Sequence, residues 1–452
     1  MSLNPSPRVS SSRRFTLSRI AAWTFSGSLV LTSAALANSS EWPGFRGEGA
    51  TGIADGQALP DSWHPASGRN IRWSTEIPGA GHSSPVVAGG QLYVTTAVSS
   101  DAGELILGDD GGIDLATDSE RTFAWRLYAL DAKTGKILWN KEPYQGRPRA
   151  NRHVKSSQSN ATPSTNGDMV VAIFGSEGMV AFDKDGGERW RVDLGVLDPG
   201  LFGDSKSQWG HASSPVIDGD RVFVQVDRHA DSFIAAYDLA TGEELWKVER
   251  QEKPVWATPT IHRSGGRAQL IVLGGDFDRG LDPATGRELW RFGRDLQVKT
   301  PTPFVAGDRI ILSGGYRGKE LHAVAVGAEG TVDGDELLWT SESGGPYTST
   351  PVAYGDLLYF VRDTGVFTVL DLATGARVHR ERLDDNFSAS AIASDGRIFL
   401  TSETGVVHVR SAEAPFGEVA RSDMGEPCMG TPAVANETLY LRCRTRVTAV
   451  GD

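Results

Sequence analysis

The chain has 452 residues, with 45 Lys+Arg against 57 Asp+Glu, 39% hydrophobic residues, 53 Gly, 12 Trp and 2 Cys. Ordinary apolar content with 23% charged residues excludes disorder, a collagen-like chain and a disulfide-stapled miniprotein. The net charge of −12 argues against nucleic acid or anionic lipid as a partner, because sequence-independent affinity for phosphate comes from clustered Lys and Arg.

The first 37 residues carry Arg8, Arg13, Arg14 and Arg19 and no acid, then an apolar run from Ile20 to Leu31, then Ala35-Leu36-Ala37. A basic start, an apolar middle and small residues at the −3 and −1 positions read as a signal peptide cleaved after Ala37. Ser12-Arg13-Arg14-Phe15-Thr16-Leu17 resembles a twin-arginine export signal, with Thr16 where that pattern has a hydrophobe; an ordinary secretory signal is the other reading. No later stretch reaches the roughly 18 apolar residues needed to span a bilayer, and no Cys follows the signal to accept a lipid. The expectation is a periplasmic or secreted bacterial protein with no transmembrane segment in the mature chain.

From residue 38 onward the sequence predicts one domain. The segment from Asn38 to Asn70 holds Trp42 and Trp63 and no repeat, and is expected to pack on the outside of the closing blade described below. Ser84-Pro85-Val86-Val87, a Gly89-Gly90 turn and Leu92-Tyr93-Val94 then open a repeat. Further anchors stand at Thr162-Pro163, Ser214-Pro215, Thr258-Pro259, Thr302-Pro303, Thr350-Pro351, Ser390-Ala391 and Thr431-Pro432. A second element, Ala129-Leu130-Asp131 through Thr134-Gly135 to Trp139, recurs as Ala236-Tyr237-Asp238 through Thr241-Gly242 to Trp246, with partial copies ending at Trp190, Trp290 and His379. Each reads as a strand, a tight turn whose Gly supplies positive φ and whose Asp bonds the free N–H groups, and another strand. Anchor spacings of 78, 52, 44, 44, 48, 40 and 41 residues give four-strand units near the propeller-blade period. The fold class predicted is all-β, an eight-bladed β-propeller of four-stranded antiparallel blades. The last copy has three strands, so Ile71-Arg72-Trp73 is expected to supply its outer strand. Trp73, Trp139, Trp190, Trp246, Trp290 and Trp339 share one repeat position and read as core between blades.

The loop entering the innermost strand of each blade should point at the axial mouth. Three to six residues before the anchors stand His82, Asn160, Trp209 with His211, Trp256, Lys299, Tyr347, Asn386 and Met429, expected as a funnel ring for a ligand or peptide, or else as filling for the channel top. His82 and His211 share a Gly-His context and read as loop caps more readily than as metal ligands or a base. Asp109, Asp110, Asp114, Asp118 and Glu120 lie in an acidic insertion at about 97–124, read as a solvated loop rather than a calcium site. Arg149, Arg152 and Lys155, with Arg147 and His153, form a basic cluster suited to an anionic ligand or to that insertion. Cys428 and Cys443, on two arms of a hairpin turning near Asn436-Glu437, are placed to form a disulfide stapling the closing blade.

The recurring Ala-x-Asp-x-x-Thr-Gly-x-x-x-Trp pattern resembles the tryptophan-docking motif of quinoprotein dehydrogenases and their non-catalytic relatives. Trp42-Pro43-Gly44-Phe45-Arg46-Gly47 and Gly81-His82-Ser83-Ser84-Pro85 further resemble exported PQQ-like β-propeller repeat proteins, often grouped with BamB. The adjacent Cys pair and the Cys-x-x-Cys-His of the catalytic branch are missing here. What the resemblance implies is therefore a non-catalytic, monomeric propeller binding a protein, peptide or small ligand in the cell envelope, with no cofactor. The alternatives are a dehydrogenase of alcohols or sugars using PQQ and calcium, with Trp209 or Trp256 stacking on the quinone, Asn160 or Asn386 as a calcium ligand and Lys299 or Arg152 pairing a quinone carboxylate, and a carbohydrate-binding propeller.

Overall fold

The computed structural model describes residues 41–100, 107, 118, 120–204, 206–293, 296, 298–316, 320–341 and 344–452. The export signal read at residues 1–37 and the acids Asp109, Asp110 and Asp114 lie outside the described residues. Eight sheets follow one another along the chain, each beginning just after an anchor. Blade 1 runs outward through Val86–Ala88, Gln91–Ser99, Phe123–Asp131 and Ile137–Gly146. Blades 2 to 7 open at Ser164–Thr165, Val216–Asp218, Thr260–Ser264, Phe304–Ala306, Val352–Tyr354 and Ile392–Ser394. First strands of neighbouring blades pack on one another, so they surround the axis. The protein is an eight-bladed β-propeller, as the repeat predicts.

The eighth blade closes the ring. Its order is Ile71–Glu76, Arg446–Val450, Thr438–Arg442, Ala433–Ala435, so the N-terminal side supplies the outer strand. Ile71 pairs with Val450 and Glu76 with Arg446, which covers an edge that would otherwise be open to other strands. Blade 4 gains a fifth, parallel strand, Gly330–Thr331, on its outer strand Glu288–Gly293.

The small residue before each Pro has a structural reason. The backbone N–H of Ser84 donates to the Thr162 hydroxyl at 2.9 Å, that of Thr162 to Ser214 at 3.0 Å, and that of Ser214 to Thr258 at 3.0 Å. Thr302, Thr350 and Ser390 continue the series to Thr350, Ser390 and Thr431 at 3.0, 2.9 and 2.9 Å. Six of the anchor hydroxyls thus satisfy a buried amide of the preceding blade, whereas the buried Thr302 hydroxyl takes no such bond, so the girdle runs around most of the axis.

The Trp residues dock outward of that girdle. Trp139 stands opposite Ala129, Trp190 opposite Ala181, Trp246 opposite Ala236, Trp290 opposite Gly280, Trp339 opposite Ala323 and Trp73 opposite Ala449. Where the large ring is replaced, by His379 or Ala420, the partner is Val369 or Val409. A large side chain against a small one keeps the cross-strand volume constant. The indole N–H of Trp73 donates to Ala132 O at 3.0 Å, of Trp139 to Lys184 O at 2.8 Å and of Trp190 to Leu239 O at 2.8 Å, all in the next blade's turn. Trp290 departs from this and donates to Gln269 of its own blade. The turn Gly makes room for the ring: a Cβ on Gly242 would lie 2.7 Å from Trp190.

Residues 41–58 correct an expectation. They lie across the end of the axial channel where first strands turn into second strands, rather than on the outside of the closing blade. Trp42 bridges to Val87 of blade 1, and Thr165 N–H of blade 2 donates to Pro43 O at 2.8 Å. The Arg46 guanidinium, 0% exposed, donates to Thr350, Pro351 and Ala391 carbonyls of blades 6 and 7 and to Ala50 and Thr51 of its own loop. Ile53 bridges to Ala393, and Gln57 accepts the Glu437 N–H of blade 8 at 2.8 Å. Arg46 does this because its planar fork offers five donors to carbonyls that the channel leaves unpaired. Burial pushes its pKa down to about 9. Trp63 keeps nearer to the expected place, with its indole N–H on Met424 Sδ at 3.1 Å and its backbone N–H on Ser422 of the outer strand of blade 7.

Candidate functional site

The loops entering the first strands converge on the opposite axial end. One of them, residues 147–160 between blades 1 and 2, crosses the mouth. Lys155 Nζ reaches Glu403 Oε1 of blade 7 at 3.0 Å, with blades 8 and 1 lying between. His153 N–H donates to Trp209 O at 3.2 Å and Asn151 N–H to Gln208 at 3.0 Å, which tie the loop to blade 3.

The basic cluster is held by carboxylates of the chain itself. Arg152 meets Asp118 at 2.7 Å, and Gln158 donates to the same carboxylate at 3.0 Å, so an acid of the insertion is the counter-ion. Arg149 meets Asp193 at 3.0 Å and donates to Ser176 O at 2.8 Å. Of the two uses that the sequence offers for these cations, the internal one is realised at Arg152.

The predicted ring residues reach this end but engage one another. Trp209 and Trp256 stack with centroids 5.8 Å apart, and the His153 ring meets Trp209 edge-on at 5.9 Å. Trp256 also donates its indole N–H to Gly210 O at 2.6 Å. The Asn160 amide is used fully, accepting from Ser157 and donating to Ser156 and to His211 O. Tyr347 lies against Tyr316 at 5.5 Å, and Asn386 is exposed, its carbonyl accepting the Glu403 N–H at 2.8 Å. His211 is buried and pushed down to about 4 by that burial. Lys299 is buried, its ammonium 2.7 Å from Asp278.

Asp278 belongs to a buried charge network that sequence reasoning missed. Asp227 accepts a two-nitrogen contact from Arg250, the closest at 2.5 Å; Glu252 pairs with Arg279; Asp278 pairs with Lys299. Burial raises the Asp227 and Asp278 carboxyls above the usual range, opposed by their cations. Three acids and three cations pair with one another across blades 3 to 5, which ties together the loops that carry them, while Arg250 Nη1 meets no acceptor and Arg279 also reaches Glu288. Asp227, Arg250, Glu252, Asp278, Arg279 and Lys299 follow no regular spacing along the chain, so no local pattern announces the network.

His82 and Met429 of the predicted ring line a solvent-facing concavity. It is a cleft of 720 Å³ between blade 8 and blade 1, walled by residues 76–82, 97–99 and 442–446 and roofed by Arg152, Val154 and Ser156–Gln158. His82 is pushed down to about 3, first by burial and then by the charges of Arg152, Arg442 and Lys155, so its ring is neutral. Cys428 and Cys443 are bonded behind this wall, their Cα atoms 4.0 Å apart.

Anchor girdle, docked tryptophans and shared closing blade define the class: a propeller of PQQ-like repeats. The chain matches the family described as outer membrane protein assembly factor BamB over residues 23–226, 126–381 and 324–451, and it belongs to that family. Over 125 residues it is 25% identical to quinohemoprotein alcohol dehydrogenase ADH-IIG of Pseudomonas putida, covering 27% of this chain; it spans 16% of the length of that curated relative. The crystal structure of BamB from Moraxella catarrhalis superposes with a TM-score of 0.53 at 15% identity, covering 79% of this chain and 98% of that one. Quinohemoprotein alcohol dehydrogenase from Comamonas testosteroni superposes with a TM-score of 0.65 at 11% identity, covering 93% and 82%. At such identities the likeness is one of fold. Among the described residues no helix is long and apolar enough to cross a membrane.

Proposed function

We propose that the protein is a non-catalytic scaffold of the bacterial cell envelope that binds another protein or a peptide on its loop face. The observation that carries this reading is the loop 147–160, which lies over the funnel mouth with Lys155 bonded to Glu403. A covered mouth leaves the loops and the cleft beside them as the surface on offer, and a rigid ring presenting loops is suited to holding a partner.

The dehydrogenase alternative is favoured by the names of two relatives, and it makes a demand on the site. A quinone would need an open aromatic face, oxygen ligands for calcium and a cation for its carboxylates. Trp209 and Trp256 stack on each other, the Asn160 amide is occupied, and Arg152 and Lys299 hold Asp118 and Asp278. The residues present do not fit that group, and no catalytic step is derived through it.

Two measurements test the proposal. Cross-linking of the purified protein in envelope extract, read by mass spectrometry, is expected to place partner links on residues 147–160 and on the loops of blades 8 and 1. Titration with pyrroloquinoline quinone and calcium is expected to give no saturable absorbance change and no dye reduction with primary alcohols; saturable binding with turnover overturns the reading.

A further inference from the structure

The cleft between blades 8 and 1 carries an unbalanced charge. Its lining holds five arginines, Arg121, Arg152, Arg442, Arg444 and Arg446, against one carboxylate, Glu76. Arg121 and Arg152 share Asp118, at 3.8 and 2.7 Å, and Arg446 meets Glu426 at 3.3 Å. Arg442 is different. It ends the second strand of the closing blade, is 1% exposed, and among the described residues is ion-paired with no carboxylate. Its Nη1 donates to Cys443 O at 2.7 Å, while Nε and Nη2 are shielded from solvent and reach no protein acceptor.

Those two nitrogens form one edge of the guanidinium, and that edge takes a carboxylate side-on with two parallel bonds. The same structure shows the pairing elsewhere: Arg191 Nε and Nη2 donate to the two oxygens of Glu188 at 2.8 and 2.7 Å. Burial lowers the Arg442 pKa to about 10, which still leaves it charged at neutral pH. A buried cation whose two-donor edge meets no protein acceptor is a group that an acceptor from outside the chain would satisfy. Ile77, Phe123 and Met429 give the cleft apolar walls for the methylenes of an entering segment, and its 720 Å³ is the size of a peptide or small-ligand site.

We propose that this cleft binds carboxylate, presented by an extended acidic segment of a protein partner, with the Arg442 guanidinium as its floor and Arg444 and Arg446 at its rim. The source of the carboxylate rests on the protein-binding reading above. The partner's acidic side chain enters between blades 8 and 1, its two oxygens take Nε and Nη2, and neighbouring acids meet the rim.

The test uses the full mature chain and a fluorescent octaglutamate peptide in low salt, with a Gly-Ser peptide of equal length and free glutarate as the other arms. Octaglutamate is expected to bind at least tenfold more tightly than the Gly-Ser peptide, and Arg442→Met to lose at least tenfold of that affinity. Arg446→Gln, a change at an exposed position that adds no like charge beside Glu426 and Glu76, is expected to weaken binding severalfold, so it decides the matter if Arg442→Met fails to fold. Equal binding of the two peptides, or undiminished binding by Arg446→Gln, overturns the proposal. Glutarate that binds Arg442 as tightly as the peptide overturns the peptide source. Capture of the same envelope partners by a folded Arg442→Met protein overturns the role of the cleft while leaving the scaffold function standing.

Discussion

Gly242 sits at φ +75°, and a Cβ there would lie 2.7 Å from the Trp190 ring, whereas Gly219 of the same blade, at φ +60°, has open space around it. Gly219→Ala is therefore expected to cost about 1–2 kcal/mol from the left-handed backbone alone. Gly242→Ala adds overpacking against the indole and is expected to cost about 2–4 kcal/mol in urea unfolding. Equal costs would mean that the turn glycine serves the backbone and not the ring. A second residue-scale effect concerns protons. His82 and His211 have folded pKa values pushed down to about 3 and about 4, so the unfolded chain binds more protons than the folded one below its ordinary histidine range. Stability should then fall as pH falls from about 6.5 toward 4, by up to about 1.4 kcal/mol per pH unit for each ring. His211→Gln is expected to flatten the difference between urea midpoints at pH 7 and pH 5. Below that window the turn carboxylates Asp131 and Asp238, held low by Thr134 and Thr241, add a further acid loss as they protonate.

At the scale of elements, the blades were legible because each one writes itself locally. A Gly turn, an Asp that caps it and a Trp ten or so residues on are all short-range features, repeated until no other architecture accommodates them. The girdle was legible only in part. The Ser/Thr-Pro step was visible, but its hydroxyl acts on the blade before it, across 52 residues from Ser214 to Thr162. Thr162→Val removes the acceptor of the buried Ser84 N–H and should cost about 1–3 kcal/mol, with faster hydrogen exchange at that amide than at its strand neighbours. The site was less legible than the blades. Lys155 and Glu403 are 248 residues apart, and Arg442 sits in an ordinary inward-facing strand position where nothing in Leu441-Arg442-Cys443 marks its open edge. The funnel residues stand in the loops that enter the first strands, yet their mutual contacts depend on loop paths that no local pattern encodes.

At the scale of the molecule, the ring depends on one joint between distant parts of the chain. Trp73→Ala empties the space between blades 8 and 1 and should cost about 3–5 kcal/mol. Loosening that strand also bares the edge of Arg446–Val450, so light scattering is expected to detect self-association of this variant at concentrations where the parent stays a single species. The Cys428–Cys443 bond, 15 residues apart in sequence, lies in the same blade. Its reduction should lower the melting temperature by an amount consistent with about 3 kcal/mol of lost chain constraint.

The joint also sets a timetable. Ile71 cannot meet Val450 until all the residues between them have been made, an interval of about 20–75 s at ribosomal rates of about 5–20 residues per second. Throughout that wait the first hairpin partner of the finished ring is a lone ribbon exposed to every nascent neighbour. Its composition suits the delay: Arg72, Ser74 and Glu76 alternate with Ile71, Trp73 and Thr75, so charged and polar side chains break up what would otherwise be a continuous apolar strand until Arg446–Val450 is made.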